Sequence, residues 1–243
     1  MENTANKAAI NSVRESATRE VDARGTHWPA EFFAEGIDYT FHAFAGNLAH
    51  ARRSPARNEV FVWLLRNDWQ LVSSMTGRNG LSMSERKRMK NSRNTAAGRQ
   101  FGVQRASLRM VTSRALCCEP GEVQLEETPR GVCFASTPDS AGKRSITADV
   151  VSAGAWLLIA VSVGELAVGV AGPLIDNTNA GDTTRASFSL LDAQQQAREL
   201  SLTRACAENP GWRTLDIPLP GDLRGAVACD HLTTAVTAFG WRR

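Results

Sequence analysis

The stretch AGAWLLIAVSVGELAVGVAGP, residues 153–173, constrains the fold more than any other part of the chain. Trp156 to Val163 is a short, nearly continuous apolar run rich in Leu, Ile and Val, and Leu166 to Val170 is a second. Gly164-Glu165 separates them. Two short apolar runs joined by a glycine-containing turn predict a β-hairpin buried in a core. The rival, a membrane-crossing helix, is interrupted by Gly164-Glu165 and falls short of the roughly 20 apolar residues a span needs.

The flanks supply further elements. Glu59 to Leu65, EVFVWLL, has the β-branched and aromatic content of a strand. Ser82 followed three residues later by Glu85 has capping-box spacing and starts a polar, basic helix that runs to Asn94. A second helix is predicted from Ala97 to Cys117, with Phe101, Val103, Leu108, Val111 and Leu116 on an apolar face and Arg105, Arg109 and Arg114 between them. Glu119-Pro120-Gly121 stops it. Val123–Leu125 and Gly131–Phe134 read as short strands, and residues 137–143 as a loop. Residues 186–207 have a helical pattern ended by Asn209-Pro210-Gly211. Trp212–Ile217 and Gly225–Cys229 read as strands around the turn at residues 218–222. Strand, helix pair, strands, helix and strands in that order predict an α+β fold.

Charge narrows the partners. The net charge of +3 is too small to argue for nucleic acid, but the basic residues cluster between Arg78 and Arg114. A local basic face of this kind meets phosphates or an acidic partner, or is simply a solvated helix face. Five cysteines, Cys117, Cys118, Cys133, Cys206 and Cys229, are an odd number without framework spacing, which fits reduced thiols. Residues 1–25 are polar and Ala-rich, a frayed helix or disorder, and lack the apolar segment of a secretory signal. A cytoplasmic protein with no membrane partner is expected. The aromatics of residues 27–51 (Trp28, Phe32, Phe33, Tyr39, Phe41, Phe44) suit packing on a core.

In order, Glu59 to Ala228 resembles the 4′-phosphopantetheinyl transferases that load acyl and peptidyl carrier proteins. The matching pieces are VFVWLLR; LSMSERKRMK at the family's LSxxE helix start; Phe101, Arg105, Leu108 and Arg109 at its F-x-x-x-R-x-x-L-R helix; EPGEVQL; Gly142-Lys143-Arg144 at its GKP element; VSAGAWLLIAVSVGELAVGVAGP; and GWRTLDIPLPGDLRGAVA. The resemblance implies a pseudo-twofold arrangement of two small α/β halves with mostly antiparallel sheets. The halves would be residues 58–140 and 141–243, with residues 1–57 an extension packed on them.

The departures fall where the family keeps its chemistry. Its SHS aligns with Val151-Ser152-Ala153, so Ser152 stands at the coenzyme-contacting histidine. The two carboxylates of its GVDVE align with Ala171 and Pro173. Its W-x-x-KEA helix aligns with Leu202-Thr203-Arg204-Ala205-Cys206-Ala207, placing Ala205 at the lysine and Cys206 at the glutamate. A hard cation on a pyrophosphate needs oxygen ligands, which Ala, Pro and Cys do not offer. Losing a general base alone typically costs about 10²–10⁴-fold. A shifted register would instead make Asp149, Asp176 or Asp182 the ligands.

No metal and no required cofactor are therefore expected. Arg105, Arg109 and Lys143 match basic positions near the coenzyme's phosphates and would hold residual coenzyme A, phosphopantetheine or another anion. Ala171, Trp156 and Leu202, with Ser152, would line a less polar pocket. Cys206 is the candidate for new nucleophilic chemistry, its alternative being inert packing. The leading expectation is a repurposed transferase-like protein, a pseudoenzyme of polyketide or peptide biosynthesis. It would bind a small-molecule intermediate and act as a metal-independent cyclase. The alternatives are a non-catalytic module that binds an acyl or peptidyl carrier protein, and a divergent active transferase.

Overall fold

Strand β2, Glu59–Arg66, is buried at every position but its last. A strand apolar on both faces must be covered on both sides, and this one is. The structure, a computed structural model, describes residues 36–42, 52–67, 80–129, 131–137, 145–172, 190–205, 211–221 and 223–241. Within them β2 is the third strand of a seven-stranded sheet. The order is β1 (Asp38–His42), β10 (Ala235–Phe239), β2, β6 (Trp156–Ser162), β5 (Ser145–Ala153), β4 (Cys133–Ser136) and β3 (Gln124–Glu127). β1, β10 and β2 run parallel to one another; every other pairing is antiparallel. A second, three-stranded antiparallel sheet has the order β7 (Leu166–Ala171), β9 (Arg224–Cys229) and β8 (Arg213–Pro218).

Three helices complete the described residues: α1 (Met83–Lys90), α2 (Thr95–Leu116) and α3 (Leu190–Ala205). One face of the large sheet, with Phe61, Trp63, Leu157, Ile159 and Val161, packs on Leu108 and Val111 of α2. The opposite face, with Val60, Val62, Leu158 and Ala160, packs on Leu166, Val168, Leu215 and Val227 of the small sheet. Helix α3 lies on the outer face of that sheet, where Ala197 meets Ala171 and Ala226. The layers thus run helix, sheet, sheet, helix. Each large apolar side chain withdrawn into the two cores contributes about 1.5–3 kcal/mol.

The period-2 alternation of β7 explains its place: Leu166 and Val168 face the large sheet while Gly169 and Ala171 face α3. The hairpin expected over Gly164-Glu165 is not what forms. β6 has β5 on one edge and β2 on the other, so it has no edge left for β7. Gly164-Glu165 carries the chain from the first sheet to the second, and the hairpin lies one strand earlier, β5 to β6, over Gly154 at φ +56°. Both apolar runs are strands; their pairing differs. β1, β5 and β10 are strands that the pattern did not reveal.

The boundary expected at 140/141 falls between β4 and β5, which are hydrogen-bonded neighbours, so both segments contribute to one sheet. From the expected N-terminal extension, β1 joins that sheet beside β10; residues 1–35 lie outside the described residues. Among the described residues no helix is long and apolar enough to cross a membrane.

Candidate functional site

The capping box at the start of α1 forms, and it does more than cap. Ser82 Oγ accepts from the Glu85 amide at 3.2 Å, and the Ser82 amide donates to Glu85 Oε2 at 2.7 Å. The Glu85 carboxylate is buried and also accepts from Arg105 Nε at 2.9 Å and Arg109 Nε at 2.8 Å. Arg105 and Arg109 are four residues apart on α2, so both guanidiniums reach one carboxylate from one helix face. Arg109 Nη1 goes on to the Val123 carbonyl at 2.6 Å. Arg105 Nη1 lies 3.0 Å from Cys133 Sγ and 3.5 Å from Glu127 Oε2. Burial alone would raise the Glu85 carboxyl, but Arg109, the Ser82 amide and Arg105 outweigh it and bring it from 4.5 to about 2.

Both arginines are therefore buried, not spread over a solvated helix face, and both hold Glu85. Lys143 lies outside the described residues. Ser152, on β5, accepts from the Gln100 and Gln104 amides of α2. Trp156, at the start of β6, is half-buried with the Arg66 guanidinium 5.4 Å from its ring centroid. Leu202 is partly buried on α3. Cys206 and Pro173 lie outside the described residues, as do Asp176 and Asp182. The structure thus places Ser152 against α2 and Ala171 against α3.

Ala171 is 6% exposed and packed with Ala197 and Ala226. The approach of α3 here is close. A methyl group on Gly169 would lie 2.1 Å from the Ala197 carbonyl oxygen and 2.6 Å from the Ser201 amide nitrogen. Asp149 is fully buried; its carboxylate accepts from the Val150 and Val168 amides at 2.8 Å each and from Arg204 Nε at 3.1 Å. Arg204 Nη2 adds a second ion-pair contact. This pair stitches β5 to β7 and to the last turn of α3. Burial pushes the Asp149 carboxyl up, against the pull of Arg204 and the two amides. Among the described residues, no group of three or more His, Cys, Asp or Glu is placed to hold a metal ion.

Glu85 and Asp149, two of the buried carboxylates, differ in sign. Glu85 is pulled down, so its ionised form is stabilised by the fold; Asp149 is pushed up, so its ionised form is not. Asp149→Asn is accordingly expected to cost less stability than Glu85→Gln. Urea unfolding of the two variants at neutral pH measures this, and the reverse order would contradict it.

The exposed face of α1 and the start of α2 is basic. Lys87, Arg88 and Lys90 on α1, Arg93 in the connection and Arg99 in the second turn of α2 are exposed, beside Met83 at 79% exposure. Sequence reasoning did not single out Glu127, Cys133 or Arg204. The signal for Glu127 was available, since the acidic run of β3 follows the basic helices directly; Cys133 and Arg204 carry no local signal. No protein-family model matches the chain, and no curated protein matches it.

Proposed function

We propose that the chain is a docking module for an acidic partner, an acyl or peptidyl carrier protein, built on a scaffold that resembles the phosphopantetheinyl transferases. The observation that carries this reading is a contrast between two places. At Ala171, where the resemblance would put a metal-binding carboxylate, α3 packs Ala197 onto the strand and leaves no room even for a methyl group on Gly169. On α1, its connection to α2 and the start of α2, Lys87, Lys90, Arg93 and Arg99 stand exposed. A filled position behind the strand supports docking over the binding of a biosynthetic intermediate there. An exposed row of cations supports an acidic partner, through steering and complementarity. The pseudo-twofold, transferase-like arrangement and action in polyketide or peptide biosynthesis belong to the same proposal.

The test is calorimetric titration of an apo carrier protein into the full chain. Binding is expected at low ionic strength, weakening steeply as salt is added, because exposed charges are screened. The double variant Lys87→Glu, Lys90→Glu should abolish it. Intact mass of the carrier after incubation with the protein, coenzyme A and Mg²⁺ should stay unchanged while an active transferase control modifies it. A mass gain of one phosphopantetheine arm would restore the transferase reading. Absence of binding at low salt would end the docking one.

A further inference from the structure

Glu127 lies at the edge of the basic face, on β3, the last strand of the large sheet. Its side chain is 35% exposed, and one of its oxygens, Oε2, faces two guanidiniums: Arg88 Nη1 at 3.5 Å and Arg105 Nη1 at 3.5 Å. Two cations thus meet one carboxylate, at distances well beyond the 2.7–2.9 Å or so of a strong charge-assisted bond.

The arginines do not depend on Glu127 for their positions. Arg88 is laid over the Phe101 ring, its guanidinium carbon 4.4 Å from the centroid. Arg105 is fixed by Glu85 at 2.9 Å and Cys133 at 3.0 Å. Each keeps its anchor if Glu127 swings out. Preorganised donors around a loosely held, partly exposed carboxylate describe an anion site with an exchangeable occupant.

We infer that Glu127 is an internal stand-in for a carboxylate of the docking partner, which displaces it from Arg88 and Arg105 when the basic face is engaged. This rests on the docking reading above and adds a specific contact and an autoinhibitory one. Arg88 links the two, because it stands on the exposed basic helix and pairs with Glu127.

The experiment is fluorescence anisotropy of a labelled glutamate-rich peptide against the full chain, at low ionic strength. Glu127→Gln should tighten binding by about fivefold, the scale of one exposed ion pair. Glu126→Gln is the control. It removes the same charge from the neighbouring exposed position, and Glu126 pairs with Phe134 on β4 rather than facing the arginines. It should change binding less than twofold. Adding Arg88→Gln to Glu127→Gln should erase the gain. If Glu127→Gln and Glu126→Gln tighten binding equally, the effect is net charge and the stand-in role is overturned, with docking intact. Wild-type binding unaltered by Glu127→Gln overturns it likewise. If neither the wild type nor Glu127→Gln binds the peptide, the docking reading falls, and this inference with it.

Discussion

The Glu85→Ala variant is expected to lose about 3–5 kcal/mol of stability, the usual cost of removing one partner from a buried ion pair. Two guanidiniums, Arg105 and Arg109, would be left in the core without their shared carboxylate. The Ser82 amide would lose its acceptor in the same step. For a chain of this size the thermal midpoint should fall by roughly 10 °C, read by calorimetry. The pH dependence identifies the carboxylate as the cause. A carboxyl lowered from 4.5 to about 2 by folding contributes stability that is fully present above 4.5 and is lost as pH falls toward 2. The variant's stability should therefore vary less than that of the wild type across this window. A variant that melts with the wild type at neutral pH would mean that the three groups make no net contribution to the fold.

The second large effect is expected at Gly169. Here glycine is required by contact distance, since a side chain would meet the backbone of α3, at the Ala197 carbonyl and the Ser201 amide. A flexible side-chain tip could swing away; a helix backbone moves only as a whole. Gly169→Ala should cost about 3 kcal/mol, at the upper end for overpacking. The damage should be local to the outer layer. Amide exchange in α3 should accelerate while α2, on the far side of the large sheet, keeps its protection. Wild-type exchange in α3 would show that helix and strand can separate at no cost.

Much of the fold was legible because its signals are local. The capping box at Ser82 and Glu85, the body of the long helix and the runs β2, β6 and β7 each follow from a pattern within one segment, although that helix ends at Leu116 on a left-handed Cys117 rather than at Glu119-Pro120-Gly121. Strand pairing is not local. The turn at Gly164-Glu165 looks like a hairpin in sequence because nothing nearby tells that β2, some 100 residues earlier, takes the free edge of β6. β5 was missed for another reason. It carries Asp149 at a buried position, and a buried carboxylate breaks the apolar alternation that identifies a strand.

The candidate residues divide along the same line. Two arginines four apart on a helix announce a shared partner, but not whether that partner is a ligand or Glu85. Their carboxylate lies on the preceding helix, where the sequence offers it only as a cap. Ala171 marks the reverse situation. Its identity can be read from the sequence, but whether that position is an opening or a contact depends on how closely α3 approaches.

The placement of β10 has a consequence for synthesis. β10 enters between β1 and β2, so residues 235–239 separate two strands made about 175 to 200 residues earlier. As the ribosome proceeds, β2 can find β6 once residue 162 has emerged, yet its other edge stays unpaired through the making of the whole small sheet and α3. Glu59 lacks its Thr237 hydroxyl for the same interval. An apolar strand with one open edge is a template for other chains, and pairing of such long sequence separation forms slowly. The nascent chain is thus most exposed to misassociation just before β10 arrives, which makes the insertion of β10 the step at which a chaperone has the most to protect.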